Sequence, residues 1–197
     1  MNLQTLKTPC LILDIDRVRK NAERVSQIAL RNNVALRPHI KTHKCVEVAK
    51  IATEKHSGAV TTSTLAEVWA FSKHGFNDFT YAMPIESGKF FEAIEIVKSG
   101  VKLNLLTDDL ETMQDLNEKA KNADVTMNVF VKIDCGYHRV GVEPNSPEAF
   151  EIPKFISEAS NLNFAGILTH AGHSYHAHSV AEIAEIAGQE RDIMVAH

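Results

Sequence analysis

The densest chemistry in this chain lies in Leu36-Arg37-Pro38-His39-Ile40-Lys41-Thr42-His43-Lys44-Cys45. Read as a short buried strand running into a helix, the stretch turns successive side chains to opposite faces. His39, Lys41 and His43 then share one face, with Ile40 and Thr42 on the other. Lysine is rarely buried without a partner. Burial lowers its pKa toward the free amine, the nucleophile of Schiff-base chemistry. These residues alone leave a second reading open, a basic strand end pointing into solvent.

Two later segments carry groups of a related kind. Asp134-Cys135-Gly136-Tyr137-His138-Arg139-Val140-Gly141-Val142 follows a β-branched run over 126–133. Its glycines permit tight turns, and Arg139 is a permanent cation with a fork of donors. Arg139 either meets a ligand or pairs with Asp134 and fixes the loop. Thr169-His170-Ala171-Gly172-His173-Ser174-Tyr175 comes next, with His176 and His178 close behind. Several imidazoles so close in sequence can gather a zinc ion. Against that, the spacing of His176 and His178 suits an extended loop, and no carboxylate stands where a general base would.

Arg37-Pro38-His39-Ile40-Lys41-Thr42-His43-Lys44 resembles the cofactor-lysine motif of the D-threonine aldolase/D-serine dehydratase family. These are pyridoxal-phosphate (PLP) enzymes on the alanine-racemase-type barrel. The resemblance implies that Lys41 carries PLP as a Schiff base, with His39 among the cofactor-binding residues. The 134–142 segment resembles that family's Asp-x-Gly-x-x-Arg-x-Gly, which implies that Arg139 donates to the cofactor's phenolic oxygen and tunes its electronics. The 170–175 run resembles His-x-Gly-His-x-Tyr. It implies that His170 packs on the cofactor ring and that Tyr175, a second catalytic residue, lies near cofactor and substrate; His173 joins them or orders the loop.

The activity so implied is a PLP-dependent lyase acting on D-β-hydroxy amino acids, of D-threonine aldolase or D-serine dehydratase type. An amino-acid racemase, a non-catalytic PLP-binding barrel and a His-rich zinc hydrolase are the alternatives. The resemblance also implies a small amino-acid substrate and a homodimer. Relatives that use a divalent metal, zinc or manganese, hold it with a His/Cys pair in a C-terminal domain. No metal ligand is therefore expected within this chain.

The elements that must position these groups alternate regularly. A strand over 9–15, closed by Asp14 and Asp16, precedes a helix with Val18, Ala22, Val25, Ile28 and Ala29 at helical spacing. Six strand–helix units follow, with strands at the lysine stretch, 58–63, 79–83, 101–106, 126–133 and 164–170. Thr64-Leu65-Ala66-Glu67 and Ser179-Val180-Ala181-Glu182 read as capping boxes, Ser87 and Thr107 as further caps, and Ser146-Pro147 as a helix start that Pro153 later breaks or restarts. Tyr81 and Asn104 are expected to line the interior.

Strict alternation implies an α/β fold with a parallel sheet and helices outside. The expectation is a PLP-binding (β/α)8 TIM-type barrel, incomplete at about six units, since the full barrel takes eight strands and about 250 residues. A doubly wound open sheet is the alternative, weakened because no Gly-rich fingerprint follows the first strands. Residues 1–15 would form a leading strand joining a C-terminal β domain absent here, and 16–197 the partial barrel. An uncovered sheet edge is expected, and a phosphate site after strands seven and eight would lie past His197.

A formal charge of −4 provides no basic surplus for nucleic acid or an anionic membrane. No apolar run approaches a membrane span or a signal-peptide core. Three scattered cysteines, Cys10, Cys45 and Cys135, suit a reducing compartment, and a cytoplasmic protein is expected.

Overall fold

Asp14 begins the first helix instead of ending a strand. In the computed structural model, which describes residues 3–197 and leaves Met1 and Asn2 outside, its carboxylate accepts from the Arg17 N–H at 3.0 Å and caps α1 (Ile15–Arg31). The strand expected over 9–15 does not form, because nothing among the described residues pairs with it. Leu11, Ile12 and Leu13 stay exposed.

The elements that follow are α2 (Val46–Thr53), β1 (Val60–Thr62), α3 (Leu65–Ser72), β2 (Asp78–Pro84), α4 (Phe90–Lys98) and β3 (Lys102–Thr107). Then come α5 (Leu110–Asn122), β4 (Met127–Lys132), α6 (Pro147–Glu158), β5 (Leu162–Leu168) and α7 (Val180–Ala196). The strands make one parallel sheet in the order β1-β2-β3-β4-β5. A doubly wound sheet reverses its strand order at a switch point. Here the order never reverses, as in consecutive units of a β/α barrel. The unit expected at the lysine stretch contributes one bridge, His39 to Thr61, not a full strand. Each outer strand has one strand neighbour, which leaves the expected open edge.

Local chemistry accounts for the helix ends. Thr64 accepts from the Glu67 N–H at 3.1 Å while the Glu67 carboxylate accepts from the Thr64 N–H at 3.2 Å, the reciprocal box that starts α3. Ser146 caps α6 ahead of Pro147, and Ser179 caps α7. Two expected caps differ. Ser87 lies in a 3₁₀ turn over Ser87–Lys89, one turn short of α4. Asp109, with a stronger acceptor than Thr107, caps α5 through the Thr112 N–H at 2.7 Å. Pro153 does not break α6. It forfeits one backbone donor, but buried Ala149, Ile152 and Ile156 hold the helix on the sheet.

The sheet has two unlike faces. Val60, Phe79, Leu103, Met127 and Val129 meet Val68, Phe71, Ile96, Met113 and Ile156 in a continuous apolar layer beneath the helices. Strand alternation puts Tyr81 in that layer with Phe79, not in the barrel interior where it was expected. The opposite face carries a polar row in register across every strand: His39, Thr61, Thr80, Asn104, Asn128 and Asn163. The Asn104 amide donates to the Phe79 carbonyl at 2.9 Å, and Asn163 donates to Asn128 at 2.9 Å. Below this row, Asp78 draws in Arg37 at 2.7 Å and Lys102 at 3.1 Å, closing the N-terminal end of the sheet. No helix of the described residues is long and apolar enough to cross a membrane.

Candidate functional site

Lys41 sits on a turn. After the His39 bridge the chain enters a 3₁₀ turn over Ile40–Thr42, closed by the His43 and Lys44 N–H groups donating to the Ile40 carbonyl at 3.3 and 2.9 Å. Ile40 is the buried anchor, while Lys41 is exposed. The alternation that would place His39, Lys41 and His43 on one inward face therefore fails, and so does the argument from lysine burial. The turn forms because a ring nitrogen competes for the backbone: His39 Nδ1 accepts from the Lys41 N–H at 3.3 Å.

That bond also sets the His39 tautomer. With Nδ1 accepting, the proton resides on Nε2, which donates to Ser63 Oγ at 3.3 Å. Burial, and next the Lys41 charge, hold the His39 pKa below the ordinary imidazole value, so the acceptor role persists. His43 repeats the device, accepting from the Cys45 N–H at 3.0 Å, and burial lowers its pKa too. Lys44 has a positive φ of 45° and ion-pairs with buried Glu67 at 2.8 Å. The turn is thus tied to the start of α3.

The loop after β4 is built around Asp134. Its Oδ1 accepts from the N–H groups of Gly136, Tyr137 and His138 at 2.9, 3.0 and 3.1 Å. Burial pushes this carboxyl up, but those donors and the nearby His138 outweigh it and hold the pKa below the usual range. His138, not Arg139, is its ionic partner, with Nδ1 at 3.1 Å from Oδ2. Gly141 closes the loop at a φ of +121°, where a β-carbon would lie 2.8 Å from the Asp134 nitrogen. Its N–H donates to Asp108 at 2.9 Å. Arg139 is exposed, makes no ion pair among the described residues, and stands 5.1 Å from the Tyr137 ring centre.

The loop after β5 brings His170 and Tyr175 together, with ring centres 5.7 Å apart and the hydroxyl 3.5 Å from His170 Nε2. His173 turns its Nδ1 inward, buried and without a hydrogen bond. The four loop histidines do not gather a metal-binding set. Among the described residues the one such group is Asp134, His138 and Glu143.

The residues join electrostatically around His170. Burial lowers its pKa first, and the charges of Lys132, Arg139 and Lys41 lower it further. Sequence reasoning missed Lys132, the last residue of β4. It is 4 % exposed, lies on the same face as Asn128, and makes no ion pair among the described residues. Burial depresses its pKa, Arg139 adds to that, and Cys135 opposes it. The signal was present: alternation in 127–132 puts Met127, Val129 and Val131 on the apolar face and Lys132 on the other.

Amine, guanidinium and imidazole groups at the C-terminal ends of successive parallel βα units are the arrangement of a β/α-barrel site. Comparison with known proteins makes the assignment specific: the chain belongs to the family described as "Alanine racemase, N-terminal domain", whose model matches residues 13–193. It is 33 % identical to the D-serine dehydratase of Dictyostelium discoideum, covering 96 % of this chain and 51 % of that protein. Among solved structures, the D-threo-3-hydroxyaspartate dehydratase from Delftia sp. HT23 superposes with a TM-score of 0.92 at 30 % identity, covering 96 % of this chain and 50 % of that one. A D-threo-3-hydroxyaspartate dehydratase C353A mutant, described as being in the metal-free form, matches with a TM-score of 0.90 at 31 % identity, covering 96 % of this chain and 50 % of the mutant's. The D-threonine aldolase from Filomicrobium marinum gives 0.90 at 27 % identity, with 97 % and 52 % covered. The chain spans about half the length of the curated relatives it matches.

Proposed function

We propose that this chain is the cofactor-holding barrel portion of a PLP-dependent lyase acting on D-β-hydroxy amino acids, of dehydratase or aldolase type. The observation that carries this reading is the meeting of Arg139, His170 and Tyr175 where the loops after β4 and β5 touch: the Tyr137 ring lies 5.1 Å from the Arg139 guanidinium carbon and 6.0 Å from the His170 ring, and the Tyr175 hydroxyl 3.5 Å from His170 Nε2. An exposed amine at Lys41, a guanidinium with no ion pair among the described residues and imidazoles whose pKa values burial lowers suit an anionic aromatic aldehyde. When bound, PLP would act as an electron sink for the substrate's Cα.

The chain's own residues would do the rest. Lys41 would hold the cofactor and, once released by substrate, move protons as a base. Arg139 would orient the cofactor through its donors, and His170 would lie against the ring. Tyr175, exposed and 3.5 Å from His170 Nε2, is placed to pass a proton at its hydroxyl. His39 would keep the Lys41 turn in place through the backbone bond.

The exposed apolar run at Leu11–Leu13 supports residues 1–15 pairing with a β domain outside this chain, with 16–197 as the barrel part. The metal-free description of the C353A dehydratase mutant supports a metal in relatives, and a divalent metal, zinc or manganese, would be held outside the residues of this chain. A homodimer and a cytoplasmic setting complete the reading; Cys10, Cys45 and Cys135 are free thiols, as a reducing compartment would leave them.

Borohydride trapping after incubation with PLP, followed by peptide mapping, tests the cofactor lysine. Label concentrated on Lys41 and lost in Lys41→Ala supports the reading. Label scattered over surface lysines, both in this chain and in one extended past His197, overturns it.

A further inference from the structure

Tyr137 belongs to neither the glycines nor the arginine of its loop, yet its ring is where the two loops of the site meet. The Arg139 guanidinium carbon lies 5.1 Å from its centre. The His170 ring stands edge-on to it at 6.0 Å and 85°, and the His173 ring lies 6.4 Å away. The remaining contact is the backbone of Gly172. A β-carbon there would sit 2.7 Å from Tyr137 Cδ1 and 2.8 Å from Cζ, and nearer still to Cε1, so the ring occupies the space that a glycine leaves open. The Tyr137 backbone is held in turn by Asp134 Oδ1 at 3.0 Å.

We propose that Tyr137 is a positioning residue: seated on Gly172, its ring holds Arg139 and His170 at a fixed separation across the gap between the β4 and β5 loops. A guanidinium is drawn to the electron-rich face of an aromatic ring, and the positive ring edge suits a T-shaped partner. No carboxylate pairs with Arg139 among the described residues, so the ring is the contact that locates it. Gly172 is the other half of the device, required for close approach and not for a left-handed φ. The proposal rests on the PLP reading only for what Arg139 and His170 accomplish; the juxtaposition itself does not involve the cofactor.

The test uses the whole chain with no cofactor added. His170 faces the charges of Lys132, Lys41, Arg139 and Glu190, the His39 imidazole, and the rings of Tyr137 and Tyr175, and the closeness of Arg139 is one cause that lowers its pKa. NMR titration of the His170 ring is expected to show its midpoint rising in Tyr137→Leu, which releases Arg139, and staying in place in Tyr137→Phe, which keeps the ring. Arg139→Gln should raise the midpoint at least as far as Tyr137→Leu, and it serves where the leucine variant fails to fold. A midpoint unmoved by Arg139→Gln, or moved equally by phenylalanine and leucine at 137, overturns the proposal. A second arm reads the seat: Gly172→Ala should destabilise the chain when Tyr137 is present and lose most of that effect in the Tyr137→Ala background. Additive effects of the two changes would likewise overturn it. Failure of PLP trapping at Lys41 would leave both readouts untouched, so the two readings fail separately.

Discussion

Two lysines bear on His170, in opposite circumstances. Lys41 is exposed on a 3₁₀ turn whose backbone is pinned by His39, and Lys132 is 4 % exposed at the end of β4 and makes no ion pair among the described residues. A low-pKa amine sought by burial alone would be Lys132. The family motif points instead to Lys41. The contrast is one of access: the exposed amine is open to a carbonyl from solvent, while the buried one is enclosed and its pKa is pushed down. Around His170 the two lysines serve together, one as the proposed reactive group and the other as part of the field.

Removing each lysine should separate these roles most sharply. Under the proposed function, Lys41→Ala should cost on the order of 10³-fold or more in lyase turnover, since both cofactor attachment and proton transfer would be lost. Lys132→Met should leave trapping at Lys41 intact. Equal loss of trapping in both variants would erase the distinction.

The next effect concerns stability. Asp134→Ala removes the acceptor shared by three backbone donors in a loop where Gly136 and His138 are open to water, and should cost about 1–2 kcal/mol in urea unfolding. Lys132→Met replaces an unpaired buried ammonium with an apolar side chain of similar length, and should be neutral or stabilising by about 1–2 kcal/mol. Lys41→Met, at an exposed position, should stay within about 0.5 kcal/mol of the parent chain. A strongly destabilised Lys132→Met would mean that the ammonium has a partner after all.

Acid should open the Lys41 turn and the Asp134 loop in sequence. The His39 pKa is lower folded than unfolded, so its contribution is complete above about pH 6.5 and lost as pH falls through the folded value. Asp134 is also depressed on folding, and its contribution is complete above about pH 3.9 and lost only as pH falls through its lower folded value. Hydrogen exchange at the Lys41 amide should therefore accelerate at mildly acidic pH while the Gly136 and Tyr137 amides remain protected. Simultaneous loss at both loops would contradict this. The smallest effect belongs to Ser63→Ala, which removes the partner of His39 Nε2 at 3.3 Å and should cost about 0.5–1 kcal/mol.

The order and type of most elements are readable in the residues themselves. The β-branched runs at 58–63 and 126–133 became β1 and β4, and the Thr64–Glu67 and Ser146–Pro147 starts became helix caps, because these signals act within a few residues. The octet around Lys41, the Asp134–Gly141 loop and the His170–Tyr175 run were likewise visible as candidate chemistry, and the fold gathers them at one end of the sheet. What local pattern did not settle was decided by partners far along the chain. Residues 9–15 have strand character but no neighbour to pair with, so Asp14 caps a helix instead. The lysine stretch alternates like a strand, yet the His39 ring, fixed by Ser63 on the next unit, captures the Lys41 N–H and turns the chain. Lys132 is buried because the loop from Asp134 to Gly141 folds over β4, with the Gly141 backbone against its side chain. Residue types and spacing thus determined which groups this protein brings to its site. Only the tertiary structure decided which are reached and which are enclosed, since burial and hydrogen-bond capture depend on segments that meet only after folding.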